Sequence, residues 1–229
     1  MLLDFQLTKK TIVAGISIST LITGFCIYQQ STSAQPDNSD RWYANLECRN
    51  LSGLAAAKVS QLVVNSTVDP SDAVGGFVAH PLWIGTGSGS WVEVGYDREP
   101  FSDPNTRYYW ASYTPTSDTY VVGGYPQINT YKELKIAWDR NSRLWNFHFG
   151  GQLIGRAANV GGPVNSGTEA GLESTSPKNV SAPAPVYGLQ YATLSNFTWR
   201  DCANPVLYQN SPARIYWVNR PFSAETRLP

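Results

Sequence analysis

Histidine, methionine and charge are all scarce in this chain of 229 residues, which has two histidines, His80 and His148, and a single methionine. So few imidazoles exclude a His-rich metal centre and leave a His-based triad only those two positions. His80 precedes Pro81 and is expected to end a strand or bond backbone. His148 alternates with Phe147 and Phe149 and is expected to point outward or into a groove. Asp, Glu, Lys and Arg together make up only 15% of the chain, against roughly 25% in an ordinary soluble domain. The 17 basic and 17 acidic residues balance to a formal net charge of zero. With no basic surplus to displace phosphate counterions, a nucleic-acid partner is excluded. No phosphate-binding loop of the form G-x-x-x-x-G-K-[ST], no H-E-x-x-H and no G-x-S-x-G in a catalytic setting occurs. Gly85 to Gly89 lacks the third glycine and following helix of a dinucleotide loop, so it reads as a turn. No metal or organic cofactor is implied.

What is abundant points elsewhere. Apolar residues reach 42% and aromatics 13%, with 19 Gly, 15 Pro, 13 Tyr and 8 Trp. That is enough to bury a core, in proportions typical of an exported all-β protein rather than a helical bundle. Lys9 and Lys10 precede an uncharged stretch, Thr11 to Tyr28, and a small-residue exit at Thr32-Ser33-Ala34. This is the layout of a secretory signal over residues 1–34, cut after Ala34, and it implies a secreted product, extracellular or periplasmic, with no membrane association after cleavage. Of the three cysteines, Cys26 leaves with that segment. Cys48 and Cys202 then pair as one disulfide in an oxidising compartment, worth about 4–5 kcal/mol on a chain-entropy model. Four N-x-S/T sequons (Asn50, Asn65, Asn179, Asn196) matter only in a eukaryotic secretory route.

The mature chain reads as a single antiparallel β-sandwich over residues 35–202, followed by a loosely ordered, Pro-containing tail over 203–229. Residues 35–40 form a polar start, and Leu54–Val64 fits a short helix or a strand equally well. Six segments are aromatic or β-branched and recur at about ten-residue spacing between Gly, Pro, Asn and Asp clusters. They are Phe77–Thr86, Ser90–Tyr96, Arg107–Tyr113, Thr119–Tyr125, Glu133–Trp138 and Leu144–Phe149. A hairpin is expected over Trp138–Trp145, and Gly150-Gly151 turns into Gln152–Gly155. Gly167–Ser174 is a further strand, Thr175–Pro185 a Pro/Ser loop, and Val186–Arg200 one long final strand.

Alternation along a strand sorts side chains by face. It puts Val92, Val94 and Tyr96 on one side and Trp91, Glu93 and Gly95 on the other. It likewise groups Glu169, Gly171, Glu173 and Thr175. A carboxylate in mid-strand beside Trp sits where charge is costly without a partner. If both faces line one groove, Glu93 and Glu173 form a carboxylate pair that cannot both ionise easily, so the site can act as acid and base together. Trp91, Tyr108, Trp110 and Tyr113, with Tyr120, offer flat surfaces for a peptide or a sugar.

The run Trp91-Val-Glu-Val-Gly-Tyr96, followed by Asp103-Pro-Asn-Thr-Arg-Tyr-Tyr-Trp110, resembles the neprosin-type glutamic peptidases. Those carry a carboxylate in an Ile-Glu-Ala-Gly-Trp-like strand, then Asn-Thr-Arg, aromatics and Tyr-Trp. Ile136–Phe149 and Gly167–Ser174 follow in the family's order. The fungal eqolisin glutamic peptidases are similar too, with Gln where this chain has Glu93 and Glu in the second strand. The likeness covers residues 75–200 and implies a jelly-roll or concanavalin-like sandwich with Glu93 and Glu173 as the catalytic pair. The second motif here is Ala-Gly-Leu-Glu-Ser, one residue off the family's Gly-Gly-Glu-Val, which leaves Glu169 as the fallback. The resemblance implies an endopeptidase most active at acid pH: one carboxylate activates a water, and the protonated one stabilises the oxyanion and protonates the leaving amine. The alternative is a non-catalytic, lectin-like sandwich that binds carbohydrate in the same aromatic-lined groove. Carboxyls on opposite faces of the sheet would remove the first reading.

Overall fold

The computed structural model describes residues 41–71, 76–87, 89–99, 105–219 and 223–229, together with the backbone of Ile27 and Tyr28. The signal segment expected over residues 1–34 therefore lies, apart from that dipeptide, outside the described residues. What is described is β-strand with no helix. In chain order the first strands are β1 (Ile27–Tyr28), β2 (Trp42–Leu62), β3 (Ser66–Thr67), β4 (Val78–Gly87), β5 (Ser90–Arg98) and β6 (Arg107–Thr114). Then come β7 (Ser117–Val122), β8 (Tyr131–Asp139), β9 (Leu144–Phe149), β10 (Gln152–Ala157), β11 (Val164–Ser174) and β12 (Val180–Ser181). The chain closes with β13 (Ala184–Thr193), β14 (Arg200–Asp201), β15 (Val206–Gln209), β16 (Arg214–Asn219) and β17 (Ser223–Arg227).

Strand β2, 21 residues long, belongs to both layers of an antiparallel sandwich. Its first half pairs with β11 and β15, its second half with β8, and β13 runs along it from Gln61 to Leu54. Between the two halves stands Gly53, whose φ of 59° suits a residue without a Cβ. There the β11 pairing slips register twice, between Val164 and Thr168. One layer thus runs β7-β6-β5-β4-β11-β2 and the other β10-β9-β8-β2-β13-β17-β16. The sequence segment that fitted helix or strand equally is strand, because its Ala and Val side chains are needed on the buried corner: Leu54, Ala55, Ala56, Ala57 and Val59 are at most 1% exposed.

The core lies between the layers. Val92, Val94 and Tyr96 of β5 enter it together with Leu134, Ile136, Trp145 and Phe147 from β8 and β9. Each fully buried side chain of this size contributes about 1.5–3 kcal/mol. Tyr108 stacks on Phe149 at 5.2 Å and Trp110 on Phe147 at 4.9 Å, so β6 presents its even-numbered aromatics to the opposite layer. Cys48 and Cys202 are joined as expected.

Three expectations are revised. Residues 203–229 are not a loose tail: β15, β16 and β17 join the sheet, and Ala213, Ile215, Ala224 and Leu228 are buried in the core. The final strand stops at Thr193, and Arg200–Asp201 folds back to pair with Gln190 and Tyr191. His80 neither ends a strand nor bonds backbone. It is fully buried within β4, stacked on Tyr96 at 4.7 Å, with its Nε2 3.1 Å from Ser181 Oγ. Burial pushes the imidazole down to about 3, so it stays neutral.

Candidate active site

The pleat that sends Val92, Val94 and Tyr96 into the core sends Trp91, Glu93 and Asp97 to the outer face of the first layer. Strand pairing extends that face sideways. Glu93 lies opposite Trp83 of β4, Trp83 opposite Glu169 of β11, and Glu169 opposite Glu47 of β2. Four residues along, Asp97 lies opposite Ala79, Ala79 opposite Glu173, and Glu173 opposite Tyr43. Between these two rows the face carries Gly95, Pro81, Gly171 and Asn45. Glu93 and Glu173 therefore share one face, reached diagonally across a floor with two glycines in it.

Both carboxyls are sunk into this face, Glu93 at 7% and Glu173 at 9% exposed. The Tyr109 hydroxyl donates to Glu93 Oε1. Burial, then the charge of Glu173, pushes the Glu93 carboxyl up to about 8, against the opposing pull of the Tyr109 bond and of Arg41. Burial and the neighbouring carboxylate thus both favour the protonated form of Glu93. Glu173 has the opposite surroundings. The Arg41 guanidinium pairs with its Oε1, and the Tyr43 hydroxyl stands 3.5 Å from the same oxygen. Arg41 itself lies 5.3 Å over the Phe77 ring.

The flanking acids are also held. Tyr120 donates to Asp97, Arg107 lies 4.0 Å from it, and burial pushes this carboxyl up to about 7. Glu169 accepts from Asn45 Nδ2 at 2.9 Å and is pushed up to about 7 by burial and then by Glu47, which is paired with Arg49. A groove of about 610 Å³ opens at this end of the face, with Trp83, Glu169, Glu47, Arg49 and Asn165 among its walls. It adjoins the Glu93 row through Trp83 rather than enclosing the Glu93–Glu173 pair.

The structure thus places Glu93 and Glu173 on one face and divides the expected aromatic set. Trp91 and Tyr113 stack on each other at 5.5 Å on the carboxylate face. Tyr108 and Trp110 are on the other side of the sheet, packed against the core. They cannot form a wall of the same groove, and that expectation is corrected. Parity explains the error: within Arg107–Tyr113 alternation separates odd from even residues, and only the pairing of Glu93 with Ala111 shows that the odd set faces the carboxylates. Tyr109, Tyr43 and Arg41 were not singled out from sequence. Tyr109 was within reach of the alternation argument. Arg41 was not, since it stands just before a strand whose start carries no pattern.

No known family matches the sequence, and neither does any curated protein. Solved structures do resemble the fold. Scytalido-glutamic peptidase bound to a transition-state analog inhibitor superposes with a TM-score of 0.57 at 9% identity, over 82% of this chain and 98% of that one. SCP-B, a member of the eqolisin family of peptidases in complex with the tripeptide Ala-Ile-His, superposes with a TM-score of 0.56 at 6% identity, over 83% and 98%. At these identities the likeness is one of fold: this chain has the β-sandwich of the glutamic peptidases. The neprosin side of the resemblance rests on the short motifs alone. A Bacillus licheniformis β-glucanase superposes with a TM-score of only 0.39, too distant to carry an argument.

Proposed function

We propose that the protein is a glutamic-type endopeptidase that hydrolyses peptide bonds with Glu173 and Glu93 and no cofactor. The observation that carries the reading is the pair itself: two buried carboxyls on one face, one beside a cation and the other holding its proton up to about 8. The Glu173 carboxylate takes a proton from a water whose oxygen attacks the peptide carbonyl carbon. The Glu93 hydroxyl donates to the oxyanion as it forms, which is where a preplaced donor lowers the barrier most. When the C–N bond breaks, the proton held by Glu173 passes to the leaving nitrogen. A protonated carboxyl offers the same donor as the carboxamide that eqolisins carry at this place, which makes the Gln-to-Glu difference chemically small. Trp91 stacked on Tyr113 supplies an apolar wall beside Glu93 for a substrate side chain. Because Glu93 keeps its proton to about 8, the activity reaches from acid pH up to neutrality. The Cys48–Cys202 bridge fits work in an oxidising compartment outside the cytosol.

The test is digestion of a denatured protein by purified material between about pH 3 and 8, with Glu173→Gln as the control. Wild type releases peptides and Glu173→Gln loses about 10³-fold or more. Equal release by the two removes the reading, and binding of an oligosaccharide without hydrolysis would favour the lectin-like alternative.

A further inference from the structure

Arg41 stands one residue ahead of β2 and is fixed there from the far end of the chain. Asn210, just after β15, donates from Nδ2 to the Arg41 carbonyl at 2.8 Å, and its own N–H donates to the Tyr43 carbonyl at 3.0 Å. Its side-chain oxygen accepts from the Tyr43 N–H. Three hydrogen bonds from one asparagine thus set the backbone on both sides of Trp42. The Arg41 side chain, 19% exposed, lies over Phe77 and ends on Glu173. Three arginines serve this face, and each goes to a different acid: Arg41 to Glu173, Arg49 to Glu47, Arg107 to Asp97 and Glu99.

We infer that Arg41 is the positioning residue that makes the two catalytic carboxyls unequal, holding Glu173 in place as the base while Glu93 is left to its Tyr109 bond, with Asn210 holding Arg41 in place. The inference rests on the hydrolytic reading above. Two glutamates on one face are equivalent until something distinguishes them. The groups around Glu173 are Tyr43 from β2, Glu93, with Tyr109 behind it, and Asp97 from the direction of β5, and Glu169 on its own strand. All are acids or phenols, so Arg41 is the one cation among the described residues that pairs with Glu173. Its charge favours the ionised form of its partner, and its Nη1 contact with Oε1, made while the guanidinium lies over Phe77, fixes where that carboxylate points. Without it, the Glu173 carboxylate keeps only the Tyr43 hydroxyl, 3.5 Å away, and loses the cation that fixes it on this face.

The experiment compares pH–rate profiles and thermal stability for wild type, Arg41→Gln, Arg41→Lys and Asn210→Ala, with the carboxyl resonance of Glu173 followed by ¹³C NMR through a pH titration. Arg41→Gln is expected to lower kcat about tenfold or more at pH 5 while KM stays within about twofold, and to move the rising limb of the profile up by about one pH unit. Arg41→Lys returns the limb toward wild type without restoring full kcat, because a compact ammonium does not keep the planar guanidinium's place over Phe77. Asn210→Ala reproduces the Arg41→Gln shift in weaker form. An unchanged limb, with activity lost only in step with thermal stability, would overturn the inference and make Arg41 merely structural. If wild type cleaves no peptide at any pH, the hydrolytic reading fails by itself. The NMR midpoint then decides the Arg41 claim: a rise in Arg41→Gln supports it and an unmoved midpoint overturns it.

Discussion

Glu93 and Glu173 lie on a diagonal of one sheet face. The residue level with Glu93 two strands away is Glu169, yet it is Glu173, four residues further along β11, whose charge bears on Glu93. The row between them carries Gly95 and Gly171, which raise no side chain, with the short ring of Pro81 on the strand between them.

Gly171→Ala tests that floor. A Cβ at this position would lie 2.2 Å from the Ala44 carbonyl oxygen and 2.5 Å from Asn45 Oδ1. Backbone cannot move aside as a flexible side chain does, so β11 and β2 must part. The substitution is expected to cost about 1–3 kcal/mol, the range for overpacking, read as a lower urea midpoint. Because β11 carries Glu173 and Arg41 stands directly before β2, activity is expected to fall further than the loss of folded protein explains.

The two pairs of aromatics should separate cleanly on substitution. Trp110→Ala removes a ring stacked on Phe147 in the core and is expected to cost about 3 kcal/mol or more of stability. Trp91→Ala removes a ring from the carboxylate face. It is expected to cost about 1 kcal/mol or less in stability and to raise KM for peptide substrates several-fold. Thermal melts and steady-state kinetics on the two variants check both halves.

That contrast also marks how far the sequence could be read. Strands β4 to β9 are legible because each buries one face, and the period of two writes that burial into the residues, as in Val92, Val94 and Tyr96. The same period shows that Glu93 leaves the core. It does not show which strand lies beside which, so Tyr108 and Trp110 looked as suitable for the groove as Tyr109 and Tyr113. β15 to β17 escaped notice because they are short and polar on their open side, and their place depends on pairing with β2 and β13 rather than on any pattern of their own. Arg41 and Asn210, 169 residues apart, are joined only by the closed fold.

The disulfide is expected to matter to the site as well as to stability. Cys48 and Cys202 close a span of 154 residues, for which chain entropy gives about 5 kcal/mol, with measured losses of about 2–5 kcal/mol. Cys202→Ser is therefore expected to lower the unfolding free energy by an amount in that range. Cys202 lies only a few residues before β15, which pairs with β2 and leads to Asn210. Amide exchange in β15 is expected to accelerate more than in β5, with hydrolysis falling as the hold on Arg41 loosens. Uniform acceleration across both strands would show the bridge acting on the whole fold instead.

Glu93 also leaves a signature in stability that needs no substrate. Its carboxyl titrates near 8 when folded, against about 4.3 in an unfolded chain. Between those values the folded state holds a proton that the unfolded state has released, so unfolding free energy falls as pH rises. The contribution is fully present below about pH 4.3 and is lost as pH passes through 8. Replacing the group by a neutral carboxamide of the same shape removes that dependence. Glu93→Gln is therefore expected to be more stable than wild type at pH 8–9, by an amount on the order of 1–3 kcal/mol, and close to wild type at pH 4. Urea unfolding of both proteins at the two pH values checks the sign. A Glu93→Gln protein that is less stable than wild type at pH 9 would mean that the carboxyl is ionised there without penalty, compensated by Tyr109 and Arg41, and that the proton of the pair does not rest on Glu93.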